Sequence, residues 1–278
     1  MNDPVLLRLA EDRFWLALAD SDAGLYAKGV AAYAGLDIDI DMPEVAPLQI
    51  QGPKSKDVVR SLCGDVVADL RYYFCAEAAV DGIPVVVSRT GWTGEVGYEV
   101  YLRDAARGDD LFERIMQTGA PYGARVIAPS EARRIEAGIF NYGSDMNSYD
   151  TPYHISGLEK YVELGQEADF VGKESLVRIA EEGVDRKLVG IRIDGDPMTD
   201  EGALNEFWPV IDGDERSIGR VTAGAWSPRL EMNVGYAWVP ATHMDVGTEL
   251  TLATAAGRRG ATVHELPFWD PKKQVPIS

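Results

Sequence analysis

The stretch Ser88-Arg89-Thr90-Gly91-Trp92-Thr93-Gly94-Glu95-Val96-Gly97-Tyr98-Glu99-Val100-Tyr101-Leu102 decides how this chain is read. Its first half carries three glycines, which let a backbone turn tightly or approach a ligand. Trp92 adds a flat apolar face. The second half alternates, and strand side chains point to opposite faces in turn, so Glu99 and Tyr101 share one face. A carboxylate turned inward on an apolar strand is costly unless paired. A ligand with two adjacent N–H donors, such as an aminopyrimidinone edge, satisfies it with a bidentate charge-assisted pair. From these residues alone, a glycine-rich hairpin with Glu99 exposed or salt-bridged is the favoured reading.

Working outward, Pro47 to Gln51 reads as a short strand ending in Gly52-Pro53, and Ser55 as the cap of a helix carrying Val58, Val59 and Leu62. Residues 70–75 and 79–88 read as strands, with Asp81-Gly82 as a hairpin signal. A helix is expected near 105–118, with Leu111, Phe112, Ile115 and Met116 on one face, and another from Ser130. Toward the start, Phe14 to Ala19 reads as a buried strand. Asp20, Ser21 and Asp22 offer caps for a helix with Leu25, Tyr26, Val30 and Tyr33 inward, and residues 36–41 alternate like a half-buried strand. This mixture predicts an α+β unit with a mainly antiparallel sheet. One more helix is expected from 173 to about 182. From 187 to 266, short strands separated by Gly, Asp and Pro turns predict a small β-barrel or sandwich.

The chain has 278 residues, enough for one large domain or two to three small ones. Hydrophobic residues at 46% and charged residues at 26% are ordinary for a globular protein. With 27 basic and 45 acidic residues the net charge is −18, which argues against nucleic-acid binding, because phosphate contacts need basic patches. No apolar run reaches the ~20 residues of a membrane helix, so no membrane partner is expected. Cys63 and Cys75 lack a disulfide-scaffold or CxxC spacing, and no signal-peptide pattern opens the chain, so a cytoplasmic setting with reduced thiols is expected. His154, His243 and His264 have no metal-ligand spacing, and there is no GxSxG, P-loop or dinucleotide-binding GxGxxG.

Trp92-Thr93-Gly94-Glu95-Val96-Gly97-Tyr98-Glu99 resembles the aromatic-Thr-Gly-Glu-x-Gly-aromatic-Glu signature of the glycine-cleavage T-protein (aminomethyltransferase) family. Further motifs follow in family order: Leu48 to Lys54, Ala132 to Ile139, Tyr142 to Met146 with Thr151-Pro152, Phe170 to Glu174, and Gly219 to Pro240. Asn2 to Leu7, Phe14 to Asp22 and Trp92 look most like its tetrahydrofolate-dependent demethylase branch, of the dimethylsulfoniopropionate demethylase type.

The resemblance implies an α+β T-protein-like cloverleaf. Residues 1–46 would be the remnant of an incomplete first folate-binding lobe, 47–150 a ferredoxin-like α+β middle lobe, and 151–278 a linker helix and a C-terminal β-barrel. It implies a tetrahydrofolate-dependent methyl transferase acting on a small methylated substrate. By the same resemblance Glu99 would bind the pterin through its 2-amino and ring N–H donors, Trp92 and Tyr101 would pack around the folate, and Arg134 would lie near folate or substrate carboxylates. Tyr142, Asp145 and Trp226 are further candidates. The family's usual N-terminal segment, with its acidic residue near the folate nitrogen, has no match here, so no catalytic acid or base is assigned. A partner subunit supplying that segment is the favoured expectation, ahead of a truncation or a non-catalytic folate-binding protein. Aminomethyl or hydroxymethyl transfer through 5,10-methylenetetrahydrofolate is the alternative chemistry.

Overall fold

The computed structural model describes residues 2–18, 22–198 and 207–278. Among these the chain divides into two compact units. One holds residues 3–91, 95–128 and 275–278; the other holds 92–94 and 129–274.

The first unit opens with a hairpin of β1 (Val5–Arg8) and β2 (Phe14–Ala17), followed by α1 (Ala23–Ala34). Then come β3 (Ala46–Gln51), α2 (Ser55–Cys63), the single turn α3 (Asp65–Ala68), β4 (Cys75–Val80), β5 (Ile83–Ser88), β6 (Gly97–Leu102) and α4 (Gly108–Gly119). β3 to β6 form one antiparallel sheet in the order β3-β6-β5-β4. The helix α4 follows β6 instead of preceding a last strand, so the connectivity differs from a ferredoxin-like βαββαβ unit. Residues 3–46 belong to the same compact unit as this sheet.

Both faces of the sheet are covered, and period two sorts the residues between them. On one face Val85, Val87, Tyr98, Val100 and Leu102 pack with Val59, Val67, Leu111 and Ile115 of the helices. On the other, Val86 and Tyr101 lie with Leu7 and Trp15 of the hairpin. The Trp15 and Tyr101 rings meet edge to face at 6.3 Å. Glu77 ties the hairpin down by accepting from Arg13 at 2.7 Å, while Arg103 reaches the same carboxylate at 2.6 Å. Because these ion pairs are exposed, packing contributes more than charge to holding the hairpin.

Several local expectations change. Residues 36–41 form no strand, and Leu36 and Ile38 are exposed. Alternation makes a strand only where a neighbour pairs the backbone groups, and among the described residues no ladder runs beside this segment. Of α1 only Ala31 is buried, while Leu25, Tyr26 and Tyr33 are exposed. Asp20 and Ser21 lie outside the described residues, and Asp22 makes no side-chain cap bond. β2 is half open: Phe14 and Leu16 are about half exposed instead of buried. Phe112 also faces out, and the strand expected from residue 70 begins only at Cys75. Ser55 starts α2 but donates to the Val96 carbonyl instead of capping. Ser130 does cap its helix, accepting from Arg133 N–H.

The second unit contains α5 (Glu131–Glu136), α6 (Lys173–Glu182) and six strands: β7 (Arg186–Ile193), β8 (Pro209–Ile211), β9 (Ser217–Ser227), β10 (Met232–Pro240), β11 (Glu249–Thr254) and β12 (Gly257–His264). The strands close into a barrel, β10-β7-β12-β11-β8-β9, which leaves no open edge. Val189, Ile191, Val221, Leu252 and Val263 fill one side of the strand layer. α5 packs on β9 and β10, where Tyr236 donates to the carbonyls of Ile135 and Ile139, both at 3.2 Å.

In the first unit, the two ends of the glycine-rich segment between β5 and β6 are pinned by Gln51. Its amide nitrogen lies 3.4 Å from the carbonyls of Thr90 and Tyr98, on either side of the loop. A Cβ added at Gly91 or Gly97 would fall 2.4 Å or 2.3 Å from the Gln51 amide, so glycine is required at both positions for close approach. Gly97→Ala is expected to cost about 1–2 kcal/mol by evicting that amide. In a urea-denaturation double-mutant cycle most of this penalty should vanish in a Gln51→Ala background; strict additivity would rule out the clamp.

Candidate folate-binding site

The central strand β6 places Glu99 between Gln49 of β3 and Ser88 of β5, with which it pairs directly in the ladder. These residues, with Tyr101 two places along, lie on the hairpin side of the sheet, because the residues between them are committed to the helical core. Glu99 is half-buried and Gln49 exposed at the edge strand.

The carboxylate is well furnished with donors. Gln49 Nε2 donates to Oε1 at 3.0 Å. The Thr90 hydroxyl donates to Oε2 in a short bond, and the Tyr101 hydroxyl donates to the same oxygen at 3.2 Å. With the Thr90 proton so committed, Ser88 donates to Thr90 Oγ1 at 2.5 Å. Burial, and after it the Glu99 charge, push the Tyr101 hydroxyl well above its ordinary pKa, which keeps it a donor at neutral pH. A carboxylate offers about four acceptor positions. Oε2 has two in use and Oε1 one, so Oε1 retains acceptor capacity toward a further N–H.

Thr90, Ser88 and Gln49 are the partners that the motif reading passes over. Their signal is register: polar Gln49 between apolar Leu48 and Ile50 marks the same face as Glu99 once β3 and β6 are paired.

Arg134, in the second unit, is fully buried. It reaches Asp145 Oδ2 at 2.6 Å and Glu131 Oε2 at 2.6 Å, and donates to the Ile139 carbonyl at 3.2 Å. Burial alone would lower the guanidinium pKa, but the two carboxylates outweigh it and the value rises. Asp145 is equally committed, accepting also from Thr222 at 2.7 Å and from the Asn141 backbone N–H at 2.8 Å. The Arg134 charge is therefore spent internally, and its guanidinium carbon also lies 5.5 Å from the ring centre of Trp92 and 5.7 Å from that of Tyr236. Tyr142 forms an isolated bridge with Met146 across the turn that carries Asp145, and Trp226 lies on β9 opposite Asn233 of β10. Among the described residues no cluster of three or more His, Cys, Asp or Glu side chains could hold a metal, and no helix is long and apolar enough to cross a membrane.

Two family models match the chain. One is described as the GCVT N-terminal domain, over residues 1–166. The other is the glycine cleavage T-protein C-terminal barrel domain, over residues 186–270. Among curated proteins, the dimethylsulfoniopropionate demethylase of Ruegeria pomeroyi is 34% identical over 269 residues, covering 97% of this chain and 71% of that protein. An aminomethyltransferase of Symbiobacterium thermophilum is also 34% identical, over 282 residues, covering 97% of this chain and 72% of the relative. The solved glycine cleavage system aminomethyltransferase T of Bartonella henselae matches in fold, with a TM-score of 0.77 at 24% identity, covering 96% of this chain and 72% of that one. With two family models spanning most of its length and curated relatives at this identity, the chain belongs to the glycine cleavage T-protein (aminomethyltransferase) family, whose members are tetrahydrofolate-dependent transferases.

Proposed function

We propose that the chain transfers a methyl group from a small methylated substrate to tetrahydrofolate, and that Glu99 is the residue that grips the pterin. The observation that carries this reading is the Glu99 carboxylate: half-buried, aimed away from the helical core, and held by three donors while Oε1 still accepts. This donor and acceptor set fits an aminopyrimidinone edge, whose 2-amino and ring N–H groups need one acceptor on each oxygen. Oε1 has the position. On Oε2 the longer of its two bonds, from Tyr101, gives way. Tyr101 thus acts as a placeholder that keeps the carboxylate satisfied before ligand arrives.

When bound, tetrahydrofolate supplies a nucleophilic nitrogen to accept the one-carbon unit. The protein's task is to fix orientation and exclude water. Thr90 and Ser88 hold the carboxylate in one rotamer. Methylenetetrahydrofolate chemistry remains a second reading, because the aminomethyltransferase relative is as similar as the demethylase. Two free cysteines, Cys63 and Cys75, suit a reducing compartment such as the cytoplasm.

Leu6, Phe14, Leu16, Leu25, Tyr33 and Ile38 of the first unit are exposed large apolar side chains. We assign them to docking of further polypeptide, in a partner subunit.

Glu99→Ala should weaken tetrahydrofolate binding by about 100-fold in calorimetry, with the circular dichroism spectrum unchanged; undiminished binding would sink the assignment. Product analysis should find 5-methyl and not 5,10-methylene folate. Co-expression with a polypeptide corresponding to the unmatched part of the relatives should yield a co-purifying complex that no longer binds the apolar dye ANS. Persistence of dye binding in such a complex would show that the apolar surface serves something else.

A further inference from the structure

Gln49 occupies a position that pterin binding through Glu99 alone leaves unused. It lies directly across the ladder from Glu99, on the edge strand β3, and is exposed. One N–H of its amide donates to Glu99 Oε1 at 3.0 Å. An amide nitrogen carries two N–H groups, and the second projects from the same nitrogen, beside the carboxylate. The two side chains therefore present, side by side, two accepting oxygens and one donor.

The edge of a 2-amino-4-oxopteridine reads donor, donor, acceptor: the 2-amino group, the ring N–H and the 4-oxo oxygen. Glu99 answers the first two. We propose that Gln49 answers the third, donating its second N–H to the 4-oxo group, and is thereby a specificity-determining residue for the substituent at position 4 of the pteridine ring. This rests on Glu99 being the pterin ligand. A 4-amino analogue offers a donor where Gln49 also donates and leaves the ring nitrogen without its proton, so two contacts are mismatched at once. Mismatched donors in a hydrogen-bonding site discriminate far more strongly than lost apolar contact does. The same Gln49 bond that steadies Glu99 thus makes the pair a single reader.

The test is calorimetry on the full chain with two ligands, tetrahydrofolate and its 4-amino-4-deoxy counterpart, and the ratio of their affinities as readout. That ratio cancels any general loosening of Glu99. The unaltered protein should prefer the 4-oxo ligand by about 100-fold, as expected for two mismatched hydrogen bonds at about tenfold each. Gln49→Leu should reduce the preference several-fold, and Gln49→Glu, which replaces the donor by an acceptor, should reverse it. Because Gln49 is exposed at an edge strand, circular dichroism should show both variants folded. If Gln49→Leu and Gln49→Glu lower both affinities equally and keep the ratio, Gln49 only braces Glu99 and the proposal falls. If Glu99→Gln leaves tetrahydrofolate affinity intact, the underlying reading of Glu99 fails instead, and this inference with it.

Discussion

The alternation of β6 is the constraint on which the rest of the first unit depends. Tyr98, Val100 and Leu102 are buried among the helices, and the Tyr98 hydroxyl is tied to the Ala68 carbonyl. Sliding the strand by one residue would drive the Glu99 carboxylate into that core and remove three large side chains from it. At about 1.5–3 kcal/mol for each such side chain, the register is fixed by apolar burial long before any ligand is met. The half-buried carboxylate is thus positioned by residues that never touch it.

That arrangement explains why the carboxylate carries its own donors. A half-buried charge left bare would weaken the strand that holds it. Thr90, Tyr101 and Gln49 supply the missing partners, and Ser88 orders Thr90. Gln51 closes the loop that brings Thr90 into range, and it can do so only because positions 91 and 97 lack side chains. Packing, loop closure and the furnishing of the Glu99 carboxylate are therefore parts of one small assembly built from β3, β5 and β6.

Much of this is legible in residue order. The Glu99–Tyr101 face follows from period two, and the barrel strands follow from regularly spaced turn residues, because both signals are local. What escapes is nonlocal. Residues 36–41 alternate as well as β6 does, yet among the described residues no neighbouring strand pairs with them. Leu25 and Tyr33 fall at helical spacing, yet face outward. Spacing states that a face is apolar and does not state what covers it. The partners of Glu99 are hidden for the same reason: Gln49 is distant in sequence and becomes adjacent only when β3 and β6 pair.

Charge sharpens the account of recognition. The chain carries −18, and a folate is itself an anion, so long-range attraction does not bring the two together. Arg134 is the obvious local counter-charge in the sequence, but its guanidinium faces two carboxylates, Asp145 and Glu131, and that cluster is net negative. It has nothing left to offer a carboxylate tail. In the proposed reading the weight of binding lies instead in short-range, charge-assisted hydrogen bonds that Glu99 and Gln49 would make with the ring edge. Partly buried contacts at that range are screened far less than a long-range field is, so that reading makes pterin affinity depend on the ring edge far more than on ionic strength.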